Sequence, residues 1–178
     1  MATLGTLLND PDLAGVWKIV PDRSAVTFKI KNMWGLQNVA GRFTEFSGDG
    51  RLSPNGAVSG RLDIRTASLN TGIGRRDHHL RGADFFDVER FPEIRVVVTA
   101  AYPTRGQAAD LRADFTIKGI TAALPLPVTI TKLDDGSIQI SGQTEIDRSQ
   151  FNLSWNRLGM IGTTATAAAE AIFVRAAQ

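Results

Sequence analysis

Apolar and polar residues alternate with a period of two along most of the chain, beginning at Trp17. In residues 24–31, Val26, Phe28 and Ile30 fall on one side and polar residues fall on the other. The same alternation returns in runs at 58–65, 94–98, 111–117, 124–130 and 138–146. A period of two is typical of β-strands with one buried face, so the pattern predicts a largely β protein.

Glycine, proline, asparagine and aspartate mark turns at 47–50, 53–56, 103–106 and 134–137. Short turns between successive strands indicate antiparallel pairing, because parallel strands need long crossovers. The sequence offers no amphipathic helix long enough to cover the sheet, and closing the sheet buries its apolar face and removes its edges. We therefore predict an all-β fold, an antiparallel eight-stranded barrel.

Small residues recur at positions that the alternation turns inward: Gly41, Gly60, Ala100, Ala113, Gly142 and Thr144. An eight-stranded barrel can hold one small ligand, and the set favours a cavity over a filled interior. Any single glycine is equally explained by barrel coiling or a bulge. Residues 163–177 are rich in alanine, which is typical of helices, but the threonines before and the run 172–174 after predict a strand.

The 178 residues suit one domain, which we place at 16–178 after a flexible N-terminal segment at 1–15. Basic residues exceed acidic ones by only 20 to 18 and are scattered, which argues against a nucleic-acid partner. The sequence contains no cysteine and hence no disulfide. Residues 1–15 lack the basic start and apolar run of a signal peptide, so we expect a cytoplasmic protein.

Charged and aromatic residues concentrate in the segment 70–92, which contains both histidines, His78 and His79. The segment predicts a short helix at 75–82 lying across one barrel mouth. We expect Phe85 and Phe86 to follow it into the apolar interior.

Three hypotheses compete for this segment. A metal site is disfavoured, because adjacent histidines rarely reach one ion, and no metal is expected. An enzyme, an isomerase or hydrolase of a small hydrophobic substrate, would use His79 as general base at the barrel mouth. The third hypothesis is structural: Arg76 pairs with Asp77, His79 bonds to the backbone, and the segment closes the mouth.

Several blocks of the sequence resemble the YceI-like family. The opening block comprises Trp17, Ile19, Ser24, Val26, Phe28, Ile30 and Lys31, then Met33-Trp34-Gly35, then Val39, Gly41, Phe43, Phe46 and Gly48. The central block comprises Ala67-Ser68-Leu69 with Thr71, then Arg76-Asp77, His79-Leu80-Arg81, Ala83 to Val88, Phe91-Pro92 and Ile94. The later blocks comprise Leu111, Ala113, Phe115, Ile117 to Thr121, Ile146 to Ser149, and Phe151.

The resemblance implies a lipocalin-like barrel that holds an isoprenoid lipid, such as an isoprenoid quinone or a polyprenyl phosphate, in an apolar pore. It implies binding, transport or storage without catalysis, and no cofactor besides the lipid. Asn32 and Asn152 depart from the family pattern, which often has His and Gly there. We also expect a homodimer and transient contact with a membrane. An alternative hypothesis for the function is a stress-related scaffold whose barrel is solid and whose outer surface does the work.

The predicted site has two parts. The residues expected to contact the lipid are Phe28, Ile30, Met33, Trp34, Phe43, Leu62, Phe85, Phe86, Val96, Phe115 and Ile117. The residues expected at the head group or the mouth are Asn32, Arg76, Asp77 and His79.

Overall fold

A computed structural model describes residues 3–155 and 159–177. In this part of the chain two α-helices accompany eleven strands. In chain order they are α1 (Leu4–Leu8), β1 (Gly15–Ile19), β2 (Ala25–Asn32), β3 (Gln37–Phe43), β4 (Phe46–Leu52), β5 (Val58–Arg65), β6 (Leu69–Asn70), α2 (Gly74–Arg81), β7 (Glu93–Pro103), β8 (Ala108–Ile117), β9 (Ile120–Lys132), β10 (Ile138–Asp147) and β11 (Thr164–Arg175). No helix among the described residues has the length and apolar character needed to cross a membrane.

Eight of the described strands close into an antiparallel, lipocalin-like barrel in the order β1, β4, β5, β7, β8, β9, β10, β11 and back to β1. The other three extend from the long strand β11, which pairs with β2, while β2 pairs with β3 and β3 with β6. The predicted fold class is confirmed, and so is the strand character of the alanine-rich segment.

The buried side chains form two clusters inside the barrel. The larger one surrounds Phe28, Phe43, Phe85 and Phe115. The smaller one contains Leu4, Ala109, Leu111, Val128 and Ile130. Because β8 and β9 carry members or packing partners of both, the two clusters succeed each other along the barrel.

The N-terminal segment, which we expected to be flexible, contains the short helix α1. Leu4, Leu7 and Leu8 have the helical spacing i, i+3, i+4, and Thr3 caps the helix by accepting a hydrogen bond from the Thr6 amide at 3.4 Å. Leu4 is fully buried. Its amide donates to the Gly106 carbonyl at 2.9 Å, so α1 is packed against the loop between β7 and β8.

Candidate functional site

A cavity of about 300 Å³ occupies the barrel interior. Alternate residues of β10, from Ile138 to Ile146, all line it, which corresponds to about 26 Å along the strand. Leucines of α1 line one end, and Phe85 and Phe86 lie in its wall toward the other. The barrel therefore encloses an elongated apolar space.

Nine of the eleven residues expected to contact a lipid line this cavity: Phe28, Ile30, Phe43, Leu62, Phe85, Phe86, Val96, Phe115 and Ile117. Met33 and Trp34 are not among its lining residues, and Trp34 is 65% exposed. Both have positive φ angles, 50° and 56°, in the turn Met33–Gly35 between β2 and β3. The strand alternation ends at this turn, so it no longer directs their side chains inward, and their expected place in the pore is corrected.

The charged residues of α2 hold the helix to the preceding loop. Asp77 is buried and accepts hydrogen bonds from the amide and hydroxyl of Thr71. Arg76 donates through Nε to the Thr71 hydroxyl at 2.8 Å and through Nη2 to the Thr71 carbonyl at 3.0 Å. The expected Arg76–Asp77 pair is thus replaced by two separate sets of bonds to one threonine.

His79 and Asn32 also make local contacts. The His79 ring packs edge-on against Trp155, with ring centroids 4.3 Å apart. The Asn32 side chain accepts a hydrogen bond from the Met33 amide at 2.8 Å, which caps the turn. None of the four predicted head-group residues, Asn32, Arg76, Asp77 and His79, lines the cavity. Their contacts stabilise the segments around one mouth of the barrel.

The aromatic residues that follow α2 close part of the same end. Phe85 and Phe86 are buried, and their amides donate to the carbonyls of Gly82 and Leu80, each at 3.0 Å. Their rings lie 5.0 Å apart, and Phe86 meets Phe43 edge-on at 6.2 Å. The predicted helix and the inward direction of both phenylalanines are confirmed.

The sequence analysis missed a charged residue that is buried in the cavity wall. Arg148, which follows β10, is 3% exposed and lines the cavity. Arg148 falls on the same side of the chain as every second residue of β10, the set Ile138, Ile140, Gly142, Thr144 and Ile146. Extending this alternation by one step past the strand would have predicted that Arg148 faces inward. Burial lowers the pKa of its guanidinium, and the nearby Asp147 charge offsets this only in part. An arginine nevertheless stays protonated at neutral pH.

Among the described residues, no group of three or more histidine, aspartate or glutamate side chains is arranged to hold a metal ion.

Sequence comparison gives a family match over nearly the whole barrel. The model of the YceI-like domain matches residues 17–173. A UPF0312 protein of Pseudomonas putida (strain W619) is 29% identical over 143 residues, covering 79% of this chain and 73% of that protein. A UPF0312 protein of Shewanella sp. (strain MR-4) is 27% identical over 169 residues, covering 92% and 80%.

Solved structures show the same fold. The crystal structure of Burkholderia cenocepacia BcnA matches with a TM-score of 0.80 at 23% identity, covering 86% of this chain and 98% of that one. A polyisoprenoid binding domain from Saccharophagus degradans, implicated in plant cell wall breakdown, matches with a TM-score of 0.74 at 17% identity, covering 90% and 98%. At these identities the likeness establishes the barrel architecture.

Proposed function

Because this chain belongs to the YceI-like family, we propose that it binds an isoprenoid lipid in its barrel without converting it chemically, and so carries or stores that lipid. The observation that carries the proposal is the elongated apolar cavity. The ligand is an isoprenoid quinone or a polyprenyl phosphate. The solved polyisoprenoid binding domain of the same fold supports this choice of ligand.

The cavity wall suits a long hydrocarbon tail. Burying an apolar chain contributes about 0.8 kcal/mol per CH₂ group, so a tail gains affinity from its length and needs no directed contact. Most of the lining residues on β11 are small, among them Ala165, Ala167, Ala169 and Ala171, and Phe173 is the large one. Small side chains on one wall leave room beside the large residues of the opposite strands.

The other two functions proposed from the sequence have less support. A general base must lie within hydrogen-bonding reach of its substrate, and His79 packs against Trp155 outside the cavity wall. A solid scaffold would need a filled barrel, whereas the cavity here extends along β10. The cytoplasmic location and the homodimer expected from the sequence stay predictions.

Native mass spectrometry of protein purified without detergent tests the proposal. We expect a co-purified lipid, or uptake of added isoprenoid quinone or polyprenyl phosphate by stripped protein. Ala167→Leu, which adds three carbons to the cavity wall, should reduce uptake severalfold. Ala123→Leu makes the same change at an exposed position of β9 and should leave uptake unchanged. Folded wild-type protein that carries no lipid and takes up neither compound would overturn the proposal.

Transient membrane contact is part of the proposal, because a carrier must exchange its lipid. The β2–β3 turn presents Trp34 and Leu36, which are 65% and 84% exposed, and Lys31 is exposed beside it. Aromatic residues with nearby basic residues favour membrane interfaces. The Trp34 amide bonds to the Met160 carbonyl at 3.1 Å, which places this turn beside the loop that precedes β11.

A further inference from the structure

Arg148 differs from the other residues of the cavity wall in carrying a positive charge in a deeply buried place. It is 3% exposed, and its guanidinium carbon lies 5.8 Å from the centre of the Phe85 ring. Leu153, which also lines the cavity, is buried beside it. A cation is thus buried at a mostly apolar wall, and the other charged members of that wall, Asp49, Arg51 and Arg61, are exposed.

The bonds to Arg148 come from carbonyl groups. Its Nε donates to the Gly162 carbonyl at 2.7 Å, and its Nη1 donates to the carbonyls of Leu153 at 2.7 Å and Trp155 at 3.3 Å. These bonds fix the guanidinium in place. They use Nε and Nη1, and the described residues supply no hydrogen bond to Nη2.

The charge itself is not neutralised within the described chain. None of the ion pairs among residues 3–155 and 159–177 includes Arg148. The adjacent Asp147 is exposed and accepts from the amide and hydroxyl of Ser149 at 3.0 and 2.7 Å. A buried charge is costly without an opposite charge close by, so an anion entering the cavity would be stabilised here.

We infer that Arg148 binds the anionic head group of the lipid, so that the cavity prefers a polyprenyl phosphate to an uncharged isoprenoid. This inference rests on the proposed function and names its ligand class. A phosphate oxygen supplies both an acceptor for a guanidinium N–H and the missing negative charge. A quinone oxygen supplies an acceptor alone. The phosphate lies beside the loop held by Gly162, and the tail extends along β10 toward α1.

Binding of three lipids of matched chain length tests the inference: a polyprenyl phosphate, the corresponding polyprenol, and an isoprenoid quinone. The wild-type protein should bind the phosphate about tenfold or more tightly than the polyprenol, the factor expected for a hydrogen bond to a charged group. Arg148→Met should bring this ratio close to one while polyprenol affinity changes little. Arg112→Met, at an exposed position of β8, is the matched control and should keep the ratio.

The outcomes separate the two proposals. Two results would overturn the inference while leaving lipid binding intact. One is equal affinity of the wild-type protein for polyprenyl phosphate and polyprenol, and the other is a phosphate preference that survives in folded Arg148→Met. Either result would mean that Arg148 only stabilises the loop. If no lipid binds, the proposed function itself fails. Arg148→Lys is the second variant should Arg148→Met not fold: it keeps the charge, and part of the phosphate preference should remain. A complete loss of that preference in folded Arg148→Lys, with polyprenol binding intact, contradicts a role for the charge.

Discussion

The ring of Phe28 lies over the α-carbon of Gly41, its paired residue on the neighbouring strand β3. A β-carbon added to Gly41 would lie 2.6 Å from Cζ of Phe28 and 2.9 Å from Cγ2 of Thr71. The glycine therefore makes room for a cavity-lining ring and for the threonine that binds α2. This one position connects the barrel wall to the structure at its mouth.

The first prediction concerns this contact. Gly41→Ala should lower the free energy of unfolding by about 1–3 kcal/mol, because the ring must move from a packed position. Gly74→Ala is the control, since a β-carbon there meets nothing within 4 Å and the residue begins α2. Urea denaturation of both variants measures the effect. Equal stability of Gly41→Ala and wild type would show that the ring relaxes at no cost.

The second prediction concerns α1. Leu4 is fully buried, so Leu4→Ala should cost about 2–5 kcal/mol if the segment unfolds together with the barrel. Should α1 open on its own, the change appears instead as faster hydrogen exchange of the backbone amide at position 4, which in the wild type donates to the Gly106 carbonyl. Leu36→Ala, at an 84% exposed position, is the control and should change neither quantity. If Leu4→Ala changes neither the free energy of unfolding nor the hydrogen-exchange rate at position 4, then α1 does not close the barrel in solution.

The third prediction separates the two arginines considered for the head group. Arg76→Met removes the bonds from Nε and Nη2 to Thr71 and should destabilise the protein by about 1–3 kcal/mol. It should leave the affinity ratio between polyprenyl phosphate and polyprenol unchanged, because Arg76 does not line the cavity. Thermal unfolding and lipid titration give the two readouts. A ratio that falls with Arg76→Met would restore Arg76 as a head-group residue.

The strands could be predicted from the sequence because alternation is a property of neighbouring residues. The charged residue buried in the cavity wall could not, because closeness in sequence does not decide which side chains reach the interior. Arg76, Asp77 and His79 lie within four residues of sequence, yet their side chains contact Thr71 and Trp155. Arg148 reaches the wall by continuing the phase of β10.

The N-terminal segment and the β2–β3 turn show two further limits of the pattern. Leu4, Leu7 and Leu8 have helical spacing, but a five-residue helix is too short for a clear period and depends on tertiary packing. Met33 and Trp34 directly follow the last residue of β2, and the alternation of that strand gives no sign of their positive φ angles, which reverse the chain.

The fourth prediction is a pH dependence on the outer face of the barrel. Asp63 accepts from Nε of Arg61 at 2.7 Å and from Nε of Arg95 at 2.8 Å. Partial burial raises the pKa of Asp63, but the hydrogen bonds and charges of Arg95 and Arg61 together lower it below its usual value. A lowered folded-state pKa stabilises the protein above the unfolded-state pKa of about 3.9, and this stability is lost as the pH falls through the folded-state value.

Asp63→Asn should therefore cost up to about 1 kcal/mol at neutral pH, and less at high salt. The difference from wild type should vanish in acid, below the folded-state pKa. Denaturation curves from neutral pH into acid measure it, with the exposed Asp110→Asn on β8 as control. A difference that persists unchanged in acid would assign the effect to the side-chain amide and not to the lost charge.

The last prediction concerns the exposed β2–β3 turn. Its Trp34 amide bonds to Met160, and Arg148 bonds to Gly162 two residues further on, so the turn lies at the end of the barrel where the head group is proposed to bind. Transfer of lipid to a membrane would then begin at this end.

Trp34→Ser should reduce co-sedimentation with phosphatidylglycerol vesicles severalfold, because an interfacial indole is lost. Tyr102→Ser removes a 56% exposed aromatic residue on β7, near the α1 end, and should leave vesicle binding unchanged. Equal losses in both variants would indicate nonspecific adsorption, and no loss in either would place membrane contact elsewhere on the barrel.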